Sequence, residues 1–350
     1  MRKFASSLAV CIGVGVIAPL AFASAAGAST TRVVHPGESI QAAVDASTSG
    51  DTVVVESGTY AQSVGIHTSG ITLIGKGAKL VPPPTKKGFD CKEGGVIGDG
   101  ICIFAPGDPS DPNTPILDGV TVKGMTVVGF PDTGIFAINE TNLTYDRNTA
   151  MNNGAYGMAA FQTVGTHMTH NTSIGSEEAN FYLGDSPGAN GIIRGNVSHS
   201  GALGIFVRDS QFVTVQDNDV RNNCAGVLVL ADAPGPAGNV TVRHNTILAN
   251  NQVCPAADGP PFSGIGVALL GAHDVTVQAN VIQGNVAAGP TFASGGVVVF
   301  DQGPGSTAPI NNKVTHNVIT GNSTDINDNG SGSGNVYRNN VCGANPGACS

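Results

Sequence analysis

Between Val120 and Val341 apolar and polar positions alternate with a period of two residues, in short bursts. VTVQDNDV (213–220), VTVRHNTI (240–247) and VTVQANVI (275–282) are examples, and a stretch such as GVLVLAD (226–232) follows after a polar turn. Alternation with this period sends successive side chains to opposite faces of a strand, whereas a helix needs apolar residues every three or four positions. The bursts are rich in β-branched residues and are punctuated by Gly and Asn, so the pattern predicts many short strands joined by tight turns. One segment departs from it. Ser39 precedes Ile40, Ala43 and Val44 at helical spacing, which predicts a short amphipathic helix with Ser39 as its N-cap. Asp51 to Val55 and Ile71 to Ile74 then read as strands.

Aligned against itself, the chain repeats one unit: apolar-x-apolar-x-x-Asn-x-apolar, a polar turn, then Gly-apolar-x-apolar. The recurring column reads Gly124, Asn148, Asn171, Asn196, Asn218, Asn245, Asn280, Asn317 and Asn340, with steps of 24, 23, 25, 22, 27, 35, 37 and 23 residues. Repeats of this size mean a solenoid. The two long steps carry the insertions CPAADGPPFS and AAGPTFAS. Stacked strands lie about 4.8 Å apart, so each Asn amide can bond the amides above and below it. A second polar column, Asn153, Asn222, Asn250, Asn285 and Asn322, marks the next turn.

The first residues, MRKFASSLAVCIGVGVIAPLAFASAAGAST, are not read as part of the fold. Arg2 and Lys3 precede an apolar run from Leu8 to Leu20, and Ala26-Gly27-Ala28 offers a cleavage site, so 1–28 is expected to be a signal peptide. A membrane anchor is the alternative, but the run is short and broken by Pro19, and no later run is long enough to span a bilayer. Cys91, Cys102, Cys224, Cys254, Cys342 and Cys349 remain, an even set suited to disulfides in an exported chain. Cys224 and Cys254 fall in corresponding turns of neighbouring rungs. Cys91 and Cys102 bracket a loop, and Cys342 and Cys349 close the end. These three pairs are expected. A formal charge of -9 and the absence of any basic cluster exclude a nucleic-acid partner.

The repeat resembles the bacterial right-handed β-helix repeat proteins of the pectin-lyase-like fold, and VVHPGESIQAAVDASTSGDTVVVESGTYAQSVGIHTSGITLIGKG is similar to the way such chains begin. The resemblance implies an all-β, right-handed parallel β-helix of about 11 rungs with a short N-terminal capping helix. It would form one domain over 29–350, with 81–117 an irregular, disulfide-containing insertion. It also implies a secreted, extracellular protein. The fold hosts lyases, hydrolases, epimerases and proteins without activity, so it does not fix function.

Alternation on the strand after each polar turn puts Ile135, Met158, Phe181, Ile205, Val227, Val267 and Val297 inside. Phe136, Ala159, Tyr182, Phe206, Leu228, Ala268 and Val298 then face out, as do Ile138, Phe161, Gly184, Arg208, Leu230, Leu270 and Phe300. The outward set forms an apolar and aromatic stripe with one cation. Beyond it lies an acidic column, Glu140, Asp185, Asp209, Asp232 and Asp301. In solenoids of this kind sugars lie along an outward strand face, so Phe136, Phe161, Tyr182, Phe206 and Phe300 are the candidate substrate-binding residues. Arg208, Asp209 and Asp185 are the candidate catalytic residues. Arg208 would hold a uronate carboxylate or act as a base, and Asp185 with Asp209 could share a proton or a Ca²⁺. The alternatives are that a loop, 81–117 above all, covers the stripe as a second core, and that the aspartates are turn formers. His167, His170, His199, His244 and His316 read as solvated turn residues.

The sequence departs from the enzymes of the fold. The Asn-Thr-Asp, Asp-Asp, Gly-His-Gly and Arg-Ile-Lys motifs of polygalacturonase-like enzymes and the Asp-Pro-His-Asp of mannuronan epimerases do not occur. No Cys/Met/His cluster supports a copper-site role, and no metal site is expected apart from the Ca²⁺ option. Two readings stand: a secreted protein, expected to be a monomer, that binds or processes an extracellular polysaccharide, and a non-catalytic structural or surface-binding module.

Overall fold

The computed structural model describes residues 28–85, 91, 98–107, 111, 113–232, 235–255, 260–302 and 306–349. The expected signal peptide falls almost wholly outside them. Three parallel sheets run the length of the molecule, with 12, 11 and 10 strands. The first extends from Thr31–Val34 to Val336–Arg338, the second from Gly58–Ala61 to Val341–Cys342, and the third from Val64–Ile66 to Ile326–Asp328. One coil contributes a strand to each, so the chain is the expected parallel β-helix. The stretch 81–117 is less irregular than expected, because Ile101–Ile103 is a strand of the third sheet.

Inward residues of all three sheets make one continuous core, and the seven predicted inward residues of the third sheet are fully buried. The N-terminal end is closed by the helix Ile40–Asp45 (α1). Its cap residue Ser39 accepts a hydrogen bond from the Ala42 N–H, and Ile40 and Val44 are buried.

The Asn column is a buried ladder. Asn218 donates from its backbone N–H and from Nδ2 to Asn245 Oδ1, both at 2.9 Å, and from Nδ2 to the Ile193 carbonyl at 3.0 Å. Its own Oδ1 accepts from Asn196 N and Nδ2 at 2.9 and 3.0 Å. The same set recurs from Asn148 to Asn317, so a polar column sits in the core with its bonds met. The register corrects the sequence alignment at the first rung. Thr126 pairs with Thr149, so Met125, not Gly124, stands in the column. Gly124 occupies the preceding left-handed turn position, shared with Arg147, His170, Asp217, His244 and His316.

The second column is corrected at one rung only: Asn223, not Asn222, bonds Asn250, and Asn222 has φ 55° in the turn before it, while Asn250, Asn285 and Asn322 continue the ladder as expected. The register leaves Ser176 and Gly201 where Asn would belong. Asn180, pointing inward from the third sheet, fills the gap. Its Oδ1 accepts from Ser176 N at 3.4 Å and its Nδ2 donates to Asn223 Oδ1 at 3.2 Å. Glycine at 201 makes the room, since a Cβ there would lie 2.8 Å from Asn180 Nδ2.

The three disulfides join Cys91 to Cys102, Cys224 to Cys254 and Cys342 to Cys349, with Cα–Cα separations of 5.6, 5.9 and 6.5 Å.

Candidate functional site

The outward columns of the third sheet form in the predicted register, with Phe136, Ala159, Tyr182, Phe206, Leu228, Ala268 and Val298 stacked in one line. They do not offer an open aromatic face. Tyr182 is 0% and Phe206 7% exposed, in a second apolar core outside the solenoid. Loops cover the stripe, as the alternative reading expected, but 81–117 is joined by the two later insertions. Phe262 and Phe292, one from each insertion, pack over the C-terminal part, and Phe292 meets Phe300 at 6.2 Å between ring centroids. Cys91, Cys102 and Phe104 pack on Phe136 and Ile138 at the N-terminal part. In the middle the stripe covers itself. Tyr182 lies 4.4 Å from Phe161, 4.7 Å from Tyr156 and 5.2 Å from Phe206. Stacking of Tyr182 or Phe206 on a sugar ring, as expected from alternation, is therefore blocked by neighbouring side chains. Phe136, Phe161 and Phe300 remain half-buried.

The open polar surface lies where the strands Tyr156–Phe161, Ala179–Gly184 and Leu203–Arg208 end. Each is followed by a residue in the left-handed region: Gln162 (φ 53°), Asp185 (53°) and Asp209 (44°). This turns the chain out of the sheet while the ladder continues, for Asp185 N donates to the Arg208 carbonyl and Asp209 N to that of Leu230, at 3.0 and 2.9 Å. The three residues stack on successive rungs, Gln162 exposed, Asp185 half-exposed and Asp209 buried at 1% exposure. With Pro187 and Gly235, Gln162, Asp185 and Asp209 line a concavity of about 370 Å³. Gly235 is required for the close approach, since a Cβ there would sit 2.9 Å from that of Asp209.

The register divides the expected acidic column. Asp185 and Asp209 stand together. Glu140 and Asp232 belong to the next position along the turn, in line with Thr163, Ser186 and Ser210, and Asp301 bonds elsewhere, accepting from Asn329 Nδ2 and donating its N–H to Ser331 Oγ. Glu140 lies inside the fold at 1% exposure. Its Oε1 accepts from Val120 N at 3.1 Å, and burial pushes its carboxyl up to about 7 against that bond, with Asp118 adding to the rise.

Arg208 is not a free cation. Its Nε donates to Asp232 Oδ1 at 2.9 Å, Asp209 Oδ2 is 3.8 Å away, and Asp232 N in turn donates to Asp209 Oδ1 at 3.1 Å. The Asp232 bond raises the guanidinium above its already high value. A general base must give up its proton near working pH; Arg208, expected as base or as partner of a uronate carboxylate, stands in this structure as an ion-pair partner of Asp232. Gln162, Pro187 and Gly235 were missed in the sequence. Gln162 is in register with Asp185, but it lacks the charge by which the column was traced.

A match to the family described as right handed beta helix region covers residues 91–247, and one to the periplasmic copper-binding protein NosD covers 186–346. No curated protein matches in sequence. Among solved structures the chain is similar to the periplasmic alginate epimerase AlgG, with 12% identity over 89% of this chain and 83% of that one and a TM-score of 0.59. A point mutant of that epimerase gives 0.61 at 15% identity, over 84% and 71%. The A-module of the Azotobacter vinelandii mannuronan C-5 epimerase AlgE4 gives 0.59 at 19%, over 87% and 90%. The copper implied by one family name has no fitting ligands among the described residues. Among the described residues the six cysteines are paired, Met125, Met158 and Met168 are buried in the core with Met151 half-buried, and no three His, Cys, Asp or Glu side chains converge. Three stacked parallel sheets and these likenesses establish the chain as a right-handed parallel β-helix of the pectin-lyase-like fold.

Proposed function

We propose that the protein is an extracytoplasmic saccharide-binding β-helix whose site is the concavity of Gln162, Asp185 and Asp209. The observation that carries this reading is the stack of two carboxylates and one carboxamide on consecutive rungs, held at strand ends by a rigid ladder. Carboxylates and amides on a fixed spacing are suited to a polymer's repeated hydroxyls, because they accept or donate without rearranging. Three disulfides fit an oxidising compartment, and the epimerases of similar fold act on a polysaccharide, alginate, as their names state. Binding without turnover is favoured by one further observation, the pairing of Arg208 with Asp232, which engages the side chain expected as base.

The test is a glycan array probed with the mature protein and with Asp185→Ala. The reading expects saccharide retention by the wild type, its loss in the variant at an unchanged unfolding midpoint, and no unsaturated-uronate absorbance. Equal retention by both proteins would move the site elsewhere.

A further inference from the structure

Resting on the saccharide-binding reading, we infer that Phe212 is a second point of contact, an aromatic platform for the C–H face of an uncharged sugar ring, with the Gln211 carboxamide beside it. Phe212 stands at the left-handed position just before the strand Val213–Gln216, with φ 60°. By register, the same place on other rungs is held by Gly50, Gly70, Gly119, Asn142, Gly165, Asn190, Asn239, Asp274, Asn311 and Gly334. Those residue types tolerate this conformation, whereas a bulky side chain is strained in it. The backbone gives Phe212 no release. Its N–H donates to the Gly238 carbonyl at 3.4 Å, and its carbonyl accepts from Gly191 N at 3.1 Å. Nor does the ring gain burial in return, being 54% exposed and part of none of the three apolar clusters. A single exposed apolar residue needs no explanation. One held outward by a strained backbone does, and such outliers gather at ligand sites.

The second observation is a fixed carboxamide next to the ring. Gln211 Nε2 lies 3.2 Å from His273 Nε2, and His273 Nδ1 lies 2.9 Å from Asp274 Oδ2. His273 stands two rungs from Gln211, and its ring crosses the rung between because residue 238 is glycine: a Cβ there would lie 2.4 Å from His273 Cε1. The carboxylate holds the imidazole proton on Nδ1, so Nε2 accepts from the Gln211 amide and leaves Gln211 Oε1 to accept from an outside hydroxyl. The groups around the ring are uncharged: Asn190 and Asn239 on the adjoining rungs, both exposed, and Ile192 and Thr214 on the strands that follow. An uncharged sugar ring complements this setting, with apolar C–H faces for the aromatic ring and hydroxyls for the amides. A protein partner fits less well. Val164 and Ile310, the other exposed large apolar residues at this end of the turn, stand two and three rungs away, about 10 and 14 Å, whereas a stable interface buries about 800 Å² per partner. The platform lies on the same turn as the concavity: Ser210 and Gln211 separate Phe212 from Asp209, and Gln211 N donates to the carbonyl of Ser186, next to Asp185, at 3.3 Å.

The glycan array should be repeated with Phe212→Asn, which supplies the residue that neighbouring rungs use, with Phe212→Tyr and with Asp185→Ala. Calorimetry with cellohexaose, mannohexaose, xylohexaose and the mannuronate and galacturonate hexamers, urea unfolding and sedimentation complete the set. Binding of an uncharged hexamer is expected, weakened about tenfold by Phe212→Asn, the scale of one aromatic contact, and kept by Phe212→Tyr. Gln211→Ala should weaken it about fivefold, the scale of one neutral hydrogen bond. The urea midpoint of Phe212→Asn should equal or exceed that of the wild type. Equal binding by Phe212→Asn and wild type would overturn the inference, and loss in Asp185→Ala alone would then leave the concavity standing. Loss in Phe212→Asn alone would support the platform and remove the concavity. Binding confined to the uronate hexamers, a lowered Phe212→Asn midpoint, or a wild-type dimer that Phe212→Asn dissociates would each overturn it. The last two would make the ring a packing residue and a contact with a second copy of the chain, respectively. If the wild type binds no saccharide at all, platform and concavity fall together.

Discussion

Asn218 and Glu140 are both polar groups inside the solenoid, and their consequences are opposite. Asn218 has its donors and acceptor engaged by Asn196, Ile193 and Asn245. Asn218→Leu removes the acceptor for Asn196 and the side-chain donors to Asn245 and the Ile193 carbonyl, leaving only the backbone N–H bonded to Asn245. Leaving a buried polar group unmet costs about 1–3 kcal/mol, so a marked fall in the urea midpoint is expected, and an unchanged midpoint would mean the ladder carries little stability. Glu140 has one buried oxygen, Oε2, without a partner, and its carboxyl titrates at about 7 in the fold against an ordinary 4.5. The folded protein thus holds this proton more tightly than the unfolded chain does. Its stabilising contribution is complete below about pH 4.5 and is lost as the pH rises to about 7, on the order of 3 kcal/mol. Asp99, raised by burial to about 7, acts in the same direction. Glu140→Gln should therefore flatten the stability–pH profile between pH 5 and 8, read from urea midpoints, and gain most over wild type at the alkaline end. At this scale the sequence made the ladders visible, because Asn in a β-branched run needs an explanation. It did not place Glu140, since a carboxylate at a strand end looks the same whether it caps a buried N–H or faces water. The Gly124 and Asn222 misplacements have one cause. The left-handed residue before each ladder Asn is often itself Gly or Asn, so the two columns share a composition.

Among elements, the third sheet is unlike the other two because both of its faces are buried over much of its length. Alternation predicted which residues point outward, and the register agrees residue by residue. It could not say whether outward meant solvent, since that depends on whether Phe262, Phe292 and Phe104, in the loop segments beside the strands Ile265–Leu270, Gly295–Phe300 and Ile101–Ile103, fold back over the sheet. Tyr182→Ala and Phe206→Ala are accordingly expected to act as core truncations, each costing about 3–5 kcal/mol, and chemical denaturation will show it. Loss of saccharide retention with stability intact would contradict this assignment. The second ladder offers a sharper test. Asn180→Ala opens the gap at Ser176 and Gly201, and Gly201→Asn alone collides with Asn180. The double variant Asn180→Ala/Gly201→Asn restores a ladder Asn, so it should be more stable than the sum of the single effects predicts, a coupling measurable as a double-mutant cycle.

Across the whole molecule, stability is arranged by position along the axis. α1 closes the first coil, and Cys342–Cys349 ties the last residues near the final one, where the Gly347 segment bridges to Ile326. Cys224–Cys254 fastens the first insertion to the coil before it, and Cys91–Cys102 fastens the cover over Phe136. Each bridge is local, which is why rung position in the sequence was enough to pair them. The molecule thus presents a covered stripe and, along its edge, an open polar turn at Asp185, and the assignment of site and class of ligand depends on that division. Hydroxyl-radical footprinting of the mature, ligand-free protein tests it most directly, with Phe212, 54% exposed, as the internal reference. Oxidation of Phe212 with Tyr182 and Phe206 left intact is the result predicted, and oxidation of Tyr182 at a rate comparable to Phe212 would contradict the account.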